Sequence, residues 1–321
     1  MNLQTKISFS KKSNNLIDYE SNILLIGSCF SENIGEKLGY FKFQNTRNPF
    51  GILFNPKAIE TLIENAVRQK VYKDSDVFFH NEQWHSFDAH SKLSRTAKED
   101  LLNQLNRQID LTAQQLNKSK HIIITLGTAW VYRHQDSDSI VANCHKVPQK
   151  QFQKELVSID SIFESLQNII DLIKSVNPIA TIIFTVSPVR HLRDGFVENT
   201  LSKSHLISAI HQFLNSSNRS LSGVETYFPS YEIMMDELRD YRFYAEDMIH
   251  PNQTAIDYIW ERFKSVWISE DSFQTMEAVD TIQRGLQHKP FNPHSEAHQK
   301  FLQTLEAQKG IVAKQVPHIK F

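Results

Sequence analysis

Three short runs, Ile23 to Ile26 (ILLI), Ile122 to Leu126 (IIITL) and Thr181 to Val186 (TIIFTV), are apolar and β-branched with no alternation of polar and apolar residues. Strands of that kind are buried on both faces, which in water requires helices on both sides of a mainly parallel sheet. Helical spacing is found next to them. The segment Arg95 to Asn117 carries Leu101, Leu102, Leu105, Ile109 and Leu116, and Ile159 to Val176 repeats the pattern. A further strand is expected around Val224 to Phe228 and an apolar-striped helix from Gln253 to about Val266. The alternation predicts an α/β fold with right-handed crossovers.

Composition narrows the function classes. With 35 basic and 36 acidic residues the formal net charge is -1, so nothing draws the chain broadly to nucleic acid or anionic lipid. A small molecule or a protein is the expected partner. The opening MNLQTKISFSKKSNN has no basic stretch leading into a long apolar run, and no segment approaches the roughly 18 apolar residues of a membrane span. Two cysteines, Cys29 and Cys144, are too few for a disulfide framework. These features lead us to expect a cytoplasmic protein with free thiols.

Residues 1–270 read as one α/β unit. Within it, residues 71–93 mix aromatic and polar side chains and fit a two-stranded excursion turning near Asn81 and Glu82. Residues 271–321 read as a helical extension, its last helix closed by Gly310.

Ligands of open α/β sheets bind beyond the C-terminal ends of the strands, and several suggestive segments fall there. The first strand ends at Gly27 and delivers Ser28 and Cys29 to the start of a helix. Backbone N–H groups at such a point stabilise negative charge and favour a thiolate. A later strand ends in TLGTAW, where Gly127 permits close backbone approach. Asp247 stands three residues before His250 in EDMIHPN, the spacing with which a carboxylate fixes a histidine tautomer. Arg190 and His191 follow the strand ending near Val186, and arginine there suits a substrate carboxylate or phosphate. His80, His85 and His90 recur every five residues, but that interval converges three side chains on no regular element, so no metal and no cofactor are expected.

The ordered set GSCFSENIGEKL, NPFGILFNP, ITLGTAWVY, VANCHKVP, SPVRHLRDG and YFPSYEIMMDELRDYRFYAEDMIHPN resembles the GSCFA family, within the SGNH or GDSL-type hydrolases, over about Ser21 to Ser265. The resemblance implies a three-layer α/β/α sandwich with a flavodoxin-like sheet. It also implies ester hydrolysis or acyl transfer on a small-molecule or carbohydrate acyl ester. Asp247 and His250 would take the roles of the family's Asp-x-x-His pair. Laying GSCF over Gly-Asp-Ser-Leu without a gap puts Cys29 on the nucleophile, while a one-residue shift would expose Ser28. Gly51 would supply an oxyanion donor beside the nucleophile's own N–H. The third donor, an asparagine in the superfamily, falls on Ala129, and Asn143 and then Thr128 are the replacements expected. The missing donor also motivates a different reading, a binding protein that kept the fold and lost the chemistry.

Overall fold

The computed structural model describes residues 5–8, 11–12, 14–216 and 225–321. Five parallel strands form the central sheet: β1 (Ile23–Gly27), β2 (Asn45–Arg47), β5 (His121–Leu126), β9 (Thr181–Val186) and β10 (Glu225–Phe228), in the order β10-β9-β5-β1-β2. The last strand was expected from Val224, which lies outside the described residues.

Counted along the chain, the five strands lie side by side as 2-1-3-4-5, the flavodoxin-like order, with its switch point between β1 and β5. Successive side chains of these strands enter opposite cores. Leu24, Ile26, Ile122, Ile124, Ile182 and Phe184 face helices α2 (Pro56–Val67), α3 (Lys98–Lys118), α4 (Ile159–Val176) and α5 (Phe196–Leu214). Ile23, Leu25, Ile123 and Ile183 face α1 (Cys29–Tyr40), α7 (Gln253–Trp267), α8 (Phe273–Gln287) and α9 (Glu296–Gln315). Two apolar faces on one sheet make the expected three layers.

The remaining pieces decorate this frame. A hairpin of β3 (Phe78–His80) and β4 (Gln83–His85) turns at Asn81 and Glu82, both at positive φ. An antiparallel sheet of β6 (Trp130–His134), β7 (Ser139–Val141) and β8 (Phe152–Leu156) follows β5. A short helix, α6 (Ser230–Glu232), runs into a π-turn at Ile233–Glu237. The closing helix does not stop at Gly310: it continues to Gln315, because Val312 beyond the glycine is buried in the second core. A Cβ at Gly310 would meet nothing within 4 Å, and the glycine sits in the helix at the ordinary cost of about 1 kcal/mol. No helix among the described residues is long and apolar enough to cross a membrane.

The turn after β1 is built on Gly27. Its φ of +136° suits glycine, and a Cβ there would lie 2.1 Å from the Thr125 carbonyl oxygen of β5. Backbone on a neighbouring strand cannot yield cheaply. Gly27→Ala is expected to destabilise the protein by more than about 2 kcal/mol. Urea unfolding of the two proteins checks this, and equal midpoints would contradict the tight packing of the turn.

Candidate functional site

The site begins where β1 becomes α1. Asn48, at φ +41°, holds the turn: its side-chain oxygen accepts the Gly27 N–H at 2.8 Å and its amide donates to Glu32 at 2.7 Å. The Ser28 N–H donates to the Thr125 carbonyl at 3.0 Å. Ser28 is fully buried and caps α1, its hydroxyl accepting the Phe30 N–H at 3.3 Å. Cys29 is the first residue of α1 and is partly accessible. Of the two adjacent nucleophile candidates, the serine faces inward as a cap and the cysteine reaches the helix N-terminus. Burial pushes the Cys29 thiol up, while Lys203 and the N–H groups of Cys29 and Phe30 pull it back only in part.

Beside this turn, β5 ends in Leu126 and Gly127. A Cβ on Gly127 would lie 3.0 Å from the Phe54 carbonyl, 3.3 Å from Ser28 Cβ and 3.4 Å from His191 Nε2, so the missing side chain brings these groups together. The N–H groups of Gly127 and Thr128 both donate to the Phe54 carbonyl, at 2.7 and 2.9 Å. Thr128 Oγ1 bonds Ser202 Oγ at 3.0 Å and accepts the Trp130 N–H at 3.0 Å. Its hydroxyl is tied into the loop.

His191 is the imidazole nearest this point. Its backbone N–H donates to Asn199 Oδ1 at 2.9 Å, and its ring meets Phe54 edge-on at 5.6 Å. Its Nε2 is buried without a hydrogen-bond partner among the described residues. Burial pushes this imidazole down to about 3, helped by the charges of Lys203 and His250, so it stays neutral at working pH.

Asp247 and His250 form the expected pair. His250 Nδ1 lies 2.6 Å from Asp247 Oδ2, and the other carboxylate oxygen accepts the N–H groups of Ile249 and His250 at 2.9 and 3.0 Å. These hydrogen bonds hold the Asp247 carboxyl down to about 2. The segment is fastened to the loop after β9, where the Arg190 N–H donates to the Ile249 carbonyl at 3.2 Å. Both side chains are about half exposed, and no hydrogen bond joins His250 to Cys29. Arg190 packs over Phe196 at 5.8 Å and leaves its Nε without a partner among the described residues.

One expected donor, the Gly51 N–H, is engaged elsewhere, and the other, Asn143, is held in a local turn through its side-chain oxygen. The Gly51 N–H donates to the Asn48 carbonyl at 2.8 Å, and a Cβ on Gly51 would strike His90 at 2.5 Å. Asn143 accepts the His145 N–H at 2.8 Å, a local turn, although it also lines a cavity of about 1110 Å³ with Thr128, Trp130, His145, His191 and Arg193. This cavity adjoins the strand ends from the side of the β-hairpin. His80, His85 and His90 are occupied separately, His80 near the Lys146 carbonyl, His85 between Ser94 and the His80 carbonyl, and His90 accepting the Lys92 N–H. No residue group among the described residues has metal-binding geometry.

One buried group gave no signal in the sequence. Lys203 of α5 is 1% exposed and its Nζ donates to the carbonyls of Gly127 and Ser187 at 2.7 and 2.9 Å. Together with Asn199 and Ser202, it places polar side chains on the inward face of α5 and blurs the apolar stripe that would have marked the helix. A buried lysine on an otherwise core-facing helix is the sign that reading by hydrophobic spacing passes over.

Comparison with known proteins identifies the chain. No curated protein matches it. Among solved structures, an acetyl xylan esterase from the rumen bacterium Butyrivibrio proteoclasticus is similar at a TM-score of 0.37 and 10% identity, over 85% of this chain and 66% of the esterase. The chain thus spans just under two thirds of that enzyme. The model of the GSCFA family matches residues 22–263, and that of the GSCFA domain protein C-terminal domain matches residues 279–321. The turn Gly27-Ser28-Cys29-Phe30, the Asn48 to Pro56 block that braces it and the Asp247–His250 pair all lie inside the first of these matches, and the chain belongs to the GSCFA family.

Proposed function

We propose that the protein is an acyl-ester hydrolase or acyltransferase that works through Cys29, with His250 as general base and Asp247 orienting it. The observation that carries this reading is the Asp247–His250 hydrogen bond of 2.6 Å on a segment docked at the strand ends where α1 presents Cys29. Asp247 stays ionised well below neutral pH, so it fixes the Nε2 lone pair of His250 outward.

In this reaction the Cys29 thiolate attacks the ester carbonyl. A carbon–sulfur bond forms, the carbonyl electrons move to oxygen, and the alcohol departs with a proton as a thioester is left on Cys29. Water or a second alcohol, deprotonated by His250, then breaks the thioester and restores the thiol. The oxyanion needs donors, and Gly51 has already used its N–H. The Cys29 N–H at the helix start is one donor. His191 is the second: it is neutral, and its buried Nε2 lies beside Gly127 and Ser28 with no hydrogen-bond partner among the described residues. Asn143 at the cavity wall fits contact with the substrate body better than contact with the reacting carbonyl. Small-molecule or carbohydrate esters both suit a cavity of about 1110 Å³.

His191→Ala is expected to lower kcat by about 10²- to 10³-fold with little change in KM, the loss measured when one oxyanion donor is removed. An equal rise in KM at unchanged kcat would assign His191 to substrate binding instead. The direct test of the reading is intact-protein mass spectrometry after mixing with p-nitrophenyl acetate. One acetyl group mapped to Cys29, absent in Cys29→Ala and slow to leave in His250→Ala, is the expected result. Acetylation at Ser28, or none in a folded protein, would overturn it.

A further inference from the structure

Lys203 has a place in the site that the Cys29–His250–Asp247 arrangement does not use. Its side chain is fully buried and makes no ion pair with a carboxylate among the described residues. Burying an unpaired ammonium costs several kcal/mol, so such a lysine is either neutral or balanced by a nearby anion. The groups facing it are few. They are the Cys29 thiol at the start of α1, the His191 imidazole after β9 and the Tyr231 ring of the segment after β10, 5.6 Å from Nζ. His191 is neutral and Tyr231 is held protonated by burial, which leaves Cys29 as the one of these groups, among the described residues, able to answer its charge.

The hydrogen bonds fix the chemistry further. A neutral amine has two N–H bonds and one lone pair. The Gly127 and Ser187 carbonyls, at the ends of β5 and β9, accept two N–H bonds and hold Nζ at the strand edge beside the Ser28–Cys29 turn. The valence left over is a lone pair, or the third N–H when the group is charged.

We propose that Lys203 is the proton partner of Cys29: the thiol proton moves from Sγ to Nζ, giving a thiolate and an ammonium, and Nζ gives it to the departing alkoxide when the sulfur is acylated or back to Sγ when the sulfur rests as thiol. This rests on Cys29 being the nucleophile. The balance closes at each stage. Before attack the site holds one thiolate and one ammonium. When the thioester forms, the sulfur loses its charge, the departing alkoxide takes a proton from Lys203, and the amine is neutral. When His250 has activated the resolving water and the thioester breaks, the proton on His250 passes back to Lys203 as the thiolate reappears. The buried site never carries net charge. Burial pushes the Lys203 ammonium down to about 7, with the Cys29 thiolate raising it in return, so both forms are within reach at neutral pH.

The test is the pH dependence of iodoacetamide alkylation of Cys29 in the full-length protein, together with ester turnover. Lys203→Met is expected to slow alkylation near pH 7.5 by at least about tenfold and to raise its midpoint by at least about one pH unit. Lys203→Arg keeps a cation and two donors, so alkylation is expected to stay within about threefold of wild type; turnover falls by at least about tenfold, because a guanidinium does not release its proton. A brace that only ties the strand ends would leave the midpoint of Lys203→Met unmoved, and that result in a folded variant overturns the proposal. Should the variants fail to fold, the Cε signal of Lys203 can be followed by NMR in wild type and Cys29→Ser. A midpoint near 7 that falls in Cys29→Ser supports the proton partnership, and an ordinary lysine midpoint indifferent to Cys29 overturns it. Failure to find acetyl-Cys29 defeats the acyl-enzyme reading by a separate measurement.

Discussion

Cys29→Ala is expected to lower kcat/KM toward an activated acyl ester by about 10⁴- to 10⁶-fold, while Ser28→Ala keeps it within about tenfold. The size follows from losing a nucleophile outright, which leaves only binding and oxyanion stabilisation. The asymmetry follows from the turn. Ser28 is fully buried, its hydroxyl accepts the Phe30 N–H, and it is the N-cap of α1. Replacing such a cap with alanine costs about 1 kcal/mol of stability and leaves the neighbouring thiol in place. Cys29 occupies the first helical position, where burial pushes its thiol up and Lys203 and the N–H groups of Cys29 and Phe30 offset that in part. Steady-state kinetics on the two variants, with unfolding midpoints measured alongside, separates the possibilities. Loss of turnover in Ser28→Ala with retention in Cys29→Ala would make the protein a serine esterase.

The second large effect is on stability in mild acid. Three imidazoles are held neutral by burial: His121 is pushed down to about 4, His145 to about 4 and His191 to about 3. His121 Nε2 lies 2.7 Å from the Asn15 carbonyl and His145 Nε2 lies 2.7 Å from the Ser86 carbonyl, so each uses one nitrogen and keeps the other buried without a partner among the described residues. In the unfolded chain a histidine takes up its proton near pH 6.5. Between that value and about 4, the unfolded state binds more protons than the folded one, so stability falls as pH falls. Each histidine contributes up to about 1.4 kcal/mol per pH unit in this window, and three together up to about 4 kcal/mol per pH unit. Urea unfolding at pH 7.5, 6 and 5 is expected to show this slope. His145→Gln, which cannot charge, is expected to flatten it by about one third. A stability unchanged from pH 7.5 to 5 would mean that these rings are hydrated or paired in solution.

His145 also shows what folding adds to the sequence. Along the chain it stands apart from the His80, His85 and His90 series, and no spacing rule connects them. In the fold its ring lies 4.5 Å from that of His85, and its Nε2 reaches the carbonyl of Ser86. The loop between β7 and β8 closes over the hairpin of β3 and β4, and an aromatic cluster with Phe78, Phe87 and Phe152 fills the space. Contacts of this kind join segments about 60 residues apart and leave no local periodicity.

The central sheet was legible from the chain because burial on both faces forces unbroken apolar strands at Ile23, Ile122 and Thr181, and that pattern exists without knowledge of neighbours. The Asp247–His250 pair was legible for the same reason, since a spacing of three residues is local. Short polar β2, the sheet of β6 to β8 and helix α5 were not, because edge strands and a core helix carrying Asn199, Ser202 and Lys203 lack the periodic signal. Only the tertiary structure decided which groups surround the GSCF turn. It engaged Gly51 with Asn48, turned Ser28 inward as a cap, and set His191 and Lys203 around Gly127. Local sequence determines which residues form an element. The charge and hydrogen-bonding state of a buried group depends on neighbours brought from other strands, so that part of the site came from the fold alone.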